Sequence, residues 1–258
     1  PDAGYRSRYS HEREWASPNY YGVELLDYGV KAEMTSGIRS GILQFTYPES
    51  DSSFILLDMN HTLWQSCPWS NLRVENDSTL VGYKLVKGWG PERHVYFTAV
   101  FSKPFRDFGI MQDTIPVKYN TNRFRSSLEA WGKDLRFWMR FPTRQGEVVT
   151  VKTAVSAVSS DGAKLNMQEL EGKTFASLKA EGEKLWEGQL SKFKIEATPE
   201  QRETFYTSVY HAFLHPFIFQ DADGKFRELD KNIGQAEGFT NYTVFSLWDT
   251  YLSLIHIS

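Results

Sequence analysis

Between Tyr20 and Ser159 the chain repeats one pattern: a short apolar-rich run, a turn signal, then another run. The runs are YYGVELLDYGVKAEMTS (broken by Asp27-Tyr28-Gly29), GILQFTYP, SFILLDM, STLVGYKLV, HVYFTAVFS, DLRFWMRFP and EVVTVKTAVSAVS. Short strands at such regular spacing predict an antiparallel β-sandwich, because βαβ units would place helical periods between them. In the last run Val149, Val151, Thr153 and Val155 alternate with Thr150, Lys152, Ala154 and Ser156. The odd positions are therefore expected on the core face.

The pattern changes at Asp161-Gly162. From Thr174 onward, Phe175, Leu178, Leu185 and Trp186 fall at helix-face spacings. A second helix is announced by Thr198-Pro199-Glu200-Gln201: a Thr N-cap, Pro at the first helical position, and Gln where a capping box needs it. Phe205, Val209 and Phe213 step along one of its faces, and Pro216 closes it. Asp223-Gly224, between FIFQ and KFREL, signals a hairpin. The expected division is a β-sandwich over residues 1–165, a helical linker over 166–197, and an α-rich unit from 198.

A net charge of −3 argues against nucleic acid or an anionic membrane surface as partner. No run of about 20 apolar residues exists to span a bilayer. The single cysteine, Cys67, excludes an internal disulfide and a cysteine-rich metal site, and reads as a packing residue. Aromatic residues make up 15% of the chain, a content that suits both cores and the apolar C–H faces of sugar rings.

Asp221-Ala-Asp-Gly224 resembles part of a calcium loop, but its glycine is at the fourth position rather than the sixth, so it reads as a turn. His11 with Glu12 and Glu14 offers either a pair close to a site or a hydrogen-bonded structural group. His211 and His215, one turn apart, read as helix-packing residues. Trp64, Trp69 and Trp89 fall between the predicted strands. They would form a binding surface or pack against a following domain. Trp248-Asp249 can provide an indole wall and a carboxylate that accepts bonds from vicinal hydroxyls. A buried Trp beside a capping Asp fits the same residues.

Four stretches taken together resemble glycoside hydrolase family 92, the calcium-dependent α-mannosidases. They are YSHEREWASPNYYGVELLDYGVKAEMTSGIRSGILQFTYP, GWGPERHVYFTAVFSKPF, FYTSVYHAFLHPFIFQDADGKFRELD and GFTNYTVFSLWDTY. The resemblance implies a β-sandwich, a helical linker, and from residues 198–251 the beginning of an (α/α)6 catalytic barrel. It implies hydrolysis of terminal α-mannosides of glycans with inversion, one carboxylic acid protonating the leaving oxygen and a carboxylate opposite activating water. The family's Ca2+ would bind mannose hydroxyls. Acid, base and calcium ligands would all lie beyond Thr250, leaving no catalytic residue and no metal ligand in this chain, which would be inactive alone. Only Trp248 and Asp249 carry over, as residues holding the terminal mannose, with His11, Glu14 and Trp89 close to the site.

The resemblance also implies a bacterial periplasmic, cell-surface or secreted location, and a sandwich packed on the barrel of the same chain. Residues 252–258, LSLIHIS, look like a translated transposon end, so a metagenomic fragment is expected and His256 receives no role. Two alternatives stand beside this reading. One is a non-catalytic carbohydrate-binding sandwich. The other is a different sandwich-plus-(α/α)6 sugar enzyme such as a disaccharide phosphorylase, against which GFTNYTVFSLWDT argues.

Overall fold

The computed structural model describes residues 4–88, 92–117 and 128–243. Its larger sheet has nine strands, in the order β1 (Glu14–Ser17), β2 (Tyr20–Leu25), β3 (Val30–Ser36), β4 (Ser40–Tyr47), β13 (Glu147–Ser156), β8 (Arg93–Phe101), β7 (Thr79–Lys87), β6 (Ser66–Val74) and β11 (Glu129–Gly132). The smaller sheet runs β10 (Ile115–Pro116), β9 (Asp107–Gln112), β12 (Leu135–Thr143), β5 (Ser50–Asp58). The two sheets enclose a single apolar core, the expected β-sandwich.

Strand β12 shows why the sheets associate. Leu135, Phe137, Met139 and Phe141 are buried, while Arg136, Trp138 and Arg140 alternate outward. Phe137 stacks against Phe101, Phe105 and Phe108, with centroids 6.0, 5.1 and 6.3 Å away. Burying each such ring contributes roughly 2–3 kcal/mol.

The alternation in β13 does not hold to its end. Val149 and Val151 are buried as expected, but Val155 is half exposed, and Ala154 and Ser156 are buried instead. The core between the sheets stops at Val151, and helix α1 (Ser160–Met167) packs on the opposite face beyond it. A second small core forms on that outer face. Ile42 meets Leu170 and Leu178, with Met167 and Phe175 packed around them.

Leu178 and Phe175 belong to helix α2 (Phe175–Leu190), whose N-cap Thr174 exchanges bonds with Ser177. At Gly182 the helix passes Asn19, in the turn between β1 and β2, where an added Cβ would stand 1.6 Å from Asn19 Nδ2, so a larger residue would push Asn19 aside. Leu185, predicted on the apolar face, is 60% exposed because α2 meets the sheet through its first turns only.

Helix α3 (Pro199–Ala212) has the predicted N-terminus: Thr198 and Gln201 form the capping box. It stops at Ala212, before Pro216. None of its residues is buried; Phe205 and Val209 are half-buried and Phe213 is exposed. It leans on α2 through Trp186 and Tyr210, 4.8 Å apart, and on Phe193. His211 and His215 are both exposed, and His215 lies past the helix end, so they do not pack it. Asp223-Gly224 does turn the chain, but the flanking runs do not pair with each other. Instead β14 (Lys225–Arg227) pairs with β15 (Ile233–Gln235), and Ile218 bridges Tyr242. Trp69 lies within β6 rather than in a loop; Trp64 does lie outside the strands.

Limited proteolysis should cut between residues 191 and 216, where α3 and its connections bury little. The sandwich and the segment after Asp221 should survive; cuts within 221–235 before 191–216 would contradict this packing.

Candidate functional site

The chain approaches Trp248 through residues 217–243, and this segment is bolted to one end of the sandwich. At its centre is Asp221, 3% exposed. Ser156 Oγ donates to its Oδ2 at 2.6 Å and Asn166 Nδ2 donates to its Oδ1 at 2.8 Å. Asn166, fully buried on α1, also accepts from the Ala222 amide at 2.8 Å. Ser156 Oγ accepts from the amides of Val158 and Ser159, which turn the chain out of β13 into α1. A carboxylate this deep is tolerable only with such donors around it. Gly162 completes the fit, since a Cβ there would lie 2.1 Å from Asp221 Oδ2.

Two arginines extend the anchor. Arg39 donates to the Gln220 carbonyl at 2.6 Å and pairs with Glu169 at 2.9 Å. Arg227 donates to the carbonyls of Ala157 and Val158 at 2.8 and 3.1 Å. Lys231 pairs with Glu92. Beyond Gln220 the segment closes on itself. Phe219 N–H bonds the Asn241 carbonyl and Thr243 N–H bonds the Phe217 carbonyl, each at 2.9 Å. The chain is therefore delivered to Thr243 in a defined position, five residues before Trp248.

His11 and Glu14 do come together. His11 Nδ1 lies 2.7 Å from Glu14 Oε2, and Tyr21 donates its hydroxyl to Glu14 Oε1 at 2.6 Å. The Tyr21 bond, then the His11 bond, hold Glu14 below the usual carboxylate range. The same bond to Glu14, with burial second, pushes the Tyr21 phenol up to about 12. Glu14 on β1 and Tyr21 on β2 lie at the sheet edge, and His11 joins them from the short 3-10 turn just before β1. A cleft of about 330 Å³, lined by Arg13, Glu24, Lys31, Tyr47 and Gln145, opens at the Tyr47 end of β4, whereas the Asp221 anchor is near its Ser40 end.

Trp89, Trp248 and Asp249 lie outside the described residues, as does His256. The Asp221–Gly224 stretch is a turn: the Gly224 amide bonds the Asp221 carbonyl at 2.9 Å. Its side chains do not fit a calcium ion, because Asp221 is held by Ser156 and Asn166 while Asp223 pairs with Lys225 at 2.8 Å. Among the described residues no group of three or more His, Cys, Asp or Glu is placed to hold a metal. No described helix is long and apolar enough to cross a membrane. Cys67 is buried, and burial pushes its thiol up. The anchor residues Ser156, Asn166, Arg39 and Glu169 carried no local sequence signal, for their partners lie 55 to 181 positions away.

Gly162→Ala should cost about 1–3 kcal/mol in chemical denaturation, because the methyl must displace Asp221; an unchanged midpoint would dismiss the close fit. Glu14→Gln should return the Tyr21 phenol toward 10.0, read by tyrosinate absorbance. In the native chain this bond's contribution is complete below pH 10.0 and fades as pH rises toward about 12. The lowered Glu14 contributes above the ordinary carboxylate range, and that part fades as pH falls.

Comparison with known proteins places the chain as follows. Residues 1–156 match the glycosyl hydrolase family 92 N-terminal domain and residues 162–257 match the glycosyl hydrolase family 92 catalytic domain. A family GH92 alpha-mannosidase from Bacteroides thetaiotaomicron is 71% identical over 97% of this chain and 34% of that one, with a TM-score of 0.93. The same mannosidase in complex with mannoimidazole matches with the same identity, chain coverage and TM-score, over 33% of that chain. An inverting family GH92 mannosidase from the same organism shares the fold at 21% identity and TM-score 0.81, over 95% of this chain and 32% of its own. The chain thus spans about a third of the length of the solved structures it matches. No curated protein matches.

Proposed function

From the premise that this chain belongs to glycosyl hydrolase family 92, we propose that it is the sandwich and first catalytic-domain segment of an exo-acting, inverting α-mannosidase. The observation that carries this is 71% identity, over 97% of the chain, to an alpha-mannosidase also solved with mannoimidazole. The substrate is a glycan ending in α-mannose. Residues 1–165 are the sandwich, 166–197 the linker, and 198–251 the start of an (α/α)6 barrel on which the sandwich packs.

In this reading Trp248 and Asp249 hold the terminal mannose, the indole against its apolar face and the carboxylate on its hydroxyls. The anchored segment 217–243 supports the role, since it fixes the chain just ahead of them. The acid that protonates the leaving oxygen and the base that activates water belong to the longer protein. So do the ligands of Ca2+, which would supply Lewis-acid binding of sugar hydroxyls. Such an enzyme works in the periplasm, at the cell surface or outside the cell, where glycans are met.

The longer enzyme containing this chain should release mannose from an aryl α-mannoside, and the 258-residue chain alone should not. Release by the short chain would overturn the division of labour. In the longer enzyme Asp249→Ala should lower kcat/KM about a hundredfold, because hydroxyl contacts tighten in the transition state. Unchanged kinetics would remove Asp249 from the site.

A further inference from the structure

Trp69 and Trp131 stand on the outer face of the nine-stranded sheet, on its last two strands. Trp131 is opposite Asn71 in the β11–β6 register, two residues from Trp69. The intervening Ser70, Leu72 and Ala130 are buried on the other face. The two rings are 6.4 Å apart with planes inclined by 32°. Trp69 is 46% exposed and Trp131 is 52% exposed. Two neighbouring indoles open to solvent form a contiguous exposed aromatic patch, the kind of surface that interaction sites use.

The polar groups around them are already oriented. Trp131 Nε1 donates to Glu129 Oε1 at 3.1 Å, and Asn71 Nδ2 donates to the same oxygen at 3.1 Å. Both bonds fall on Oε1, leaving Oε2 of this exposed residue without a bond to any described residue. An acceptor held beside apolar ring faces suits a ligand with hydroxyls on its rim and C–H groups on its flat face. Arg73, opposite Glu129, is engaged by Glu75 at 3.5 Å, which disfavours an anionic polymer. Strand β11 is a sheet edge, so a long chain can lie across the pair.

We propose that Trp69, Trp131 and Glu129 form a second carbohydrate-binding surface, separate in sequence from Trp248-Asp249, that takes an extended α-mannan chain. The choice of sugar rests on the mannosidase reading; the site itself rests on the geometry. It would hold the body of a polymer while its non-reducing end is cut elsewhere.

Calorimetric titration of the chain with α-mannohexaose, with cellohexaose as control, tests it. Saturable binding of the mannose oligomer alone is expected. Trp69→Ala and Trp131→Ala should each weaken it about tenfold or more, as truncation of an aromatic anchor does. Glu129→Gln should weaken it less, and all three exposed substitutions should keep the native thermal midpoint. Asp249→Ala should leave this binding intact. In the longer enzyme, the double Trp variant should cut an aryl α-mannoside at the native rate, so failure of the mannosidase reading is seen separately. No saturable binding, equal binding of cellohexaose, or undiminished binding by the double variant would overturn the proposal.

Discussion

A buried carboxylate decides how the two parts of this chain are joined. Asp221 is almost fully withdrawn from water, and its donors come from the last strand of the sandwich and from α1. A buried acidic group without partners would destabilise the fold by more than most single contacts contribute. The segment therefore docks only where Ser156 and Asn166 meet it, and Gly162 must lack a side chain for it to fit. Arg39, itself held by Glu169, and Arg227 repeat the logic around it by tying backbone carbonyls of one part to side chains of the other. This is a polar joint, directional where an apolar one would be free to slide.

The nine-stranded sheet does two jobs with its two faces. Its inner face, with the smaller sheet, makes the large core around Phe137. Its outer face makes the small core of Ile42, Leu170 and Leu178, then the Asp221 joint, then the open Trp69–Trp131 surface. A strand serving both faces cannot keep a simple alternation. Strand β13 switches its buried face after Val151 for this reason, and no count of apolar residues along the strand would have placed the switch.

Strands β2, β3, β4, β7, β8 and β12 follow the apolar runs of the sequence, and α3, though none of its residues is buried, begins at the capping box its sequence announces. Strand β6 was hidden because Cys67-Pro68-Trp69 reads as a loop; it is accommodated by a register shift between Ser66 and Trp69. Helix α1 begins where the sequence showed only a change of pattern at Asp161-Gly162, and Gly162 serves the Asp221 fit rather than a helix signal. Of the candidate site, the contact between His11 and Glu14 was legible from their spacing of three, whereas the phenol of Tyr21 that completes the group was not.

The sequence alone was enough for the sandwich, the capped helix after Thr198 and the resemblance to family 92, because period, capping chemistry and motif are local properties of a chain. Tertiary structure alone decided which polar residues meet across 55 to 181 positions, where β13 changes face, and that Trp69 and Trp131 stand together in solvent. Those outcomes depend on strand register and burial, which arise only when distant segments are packed against each other.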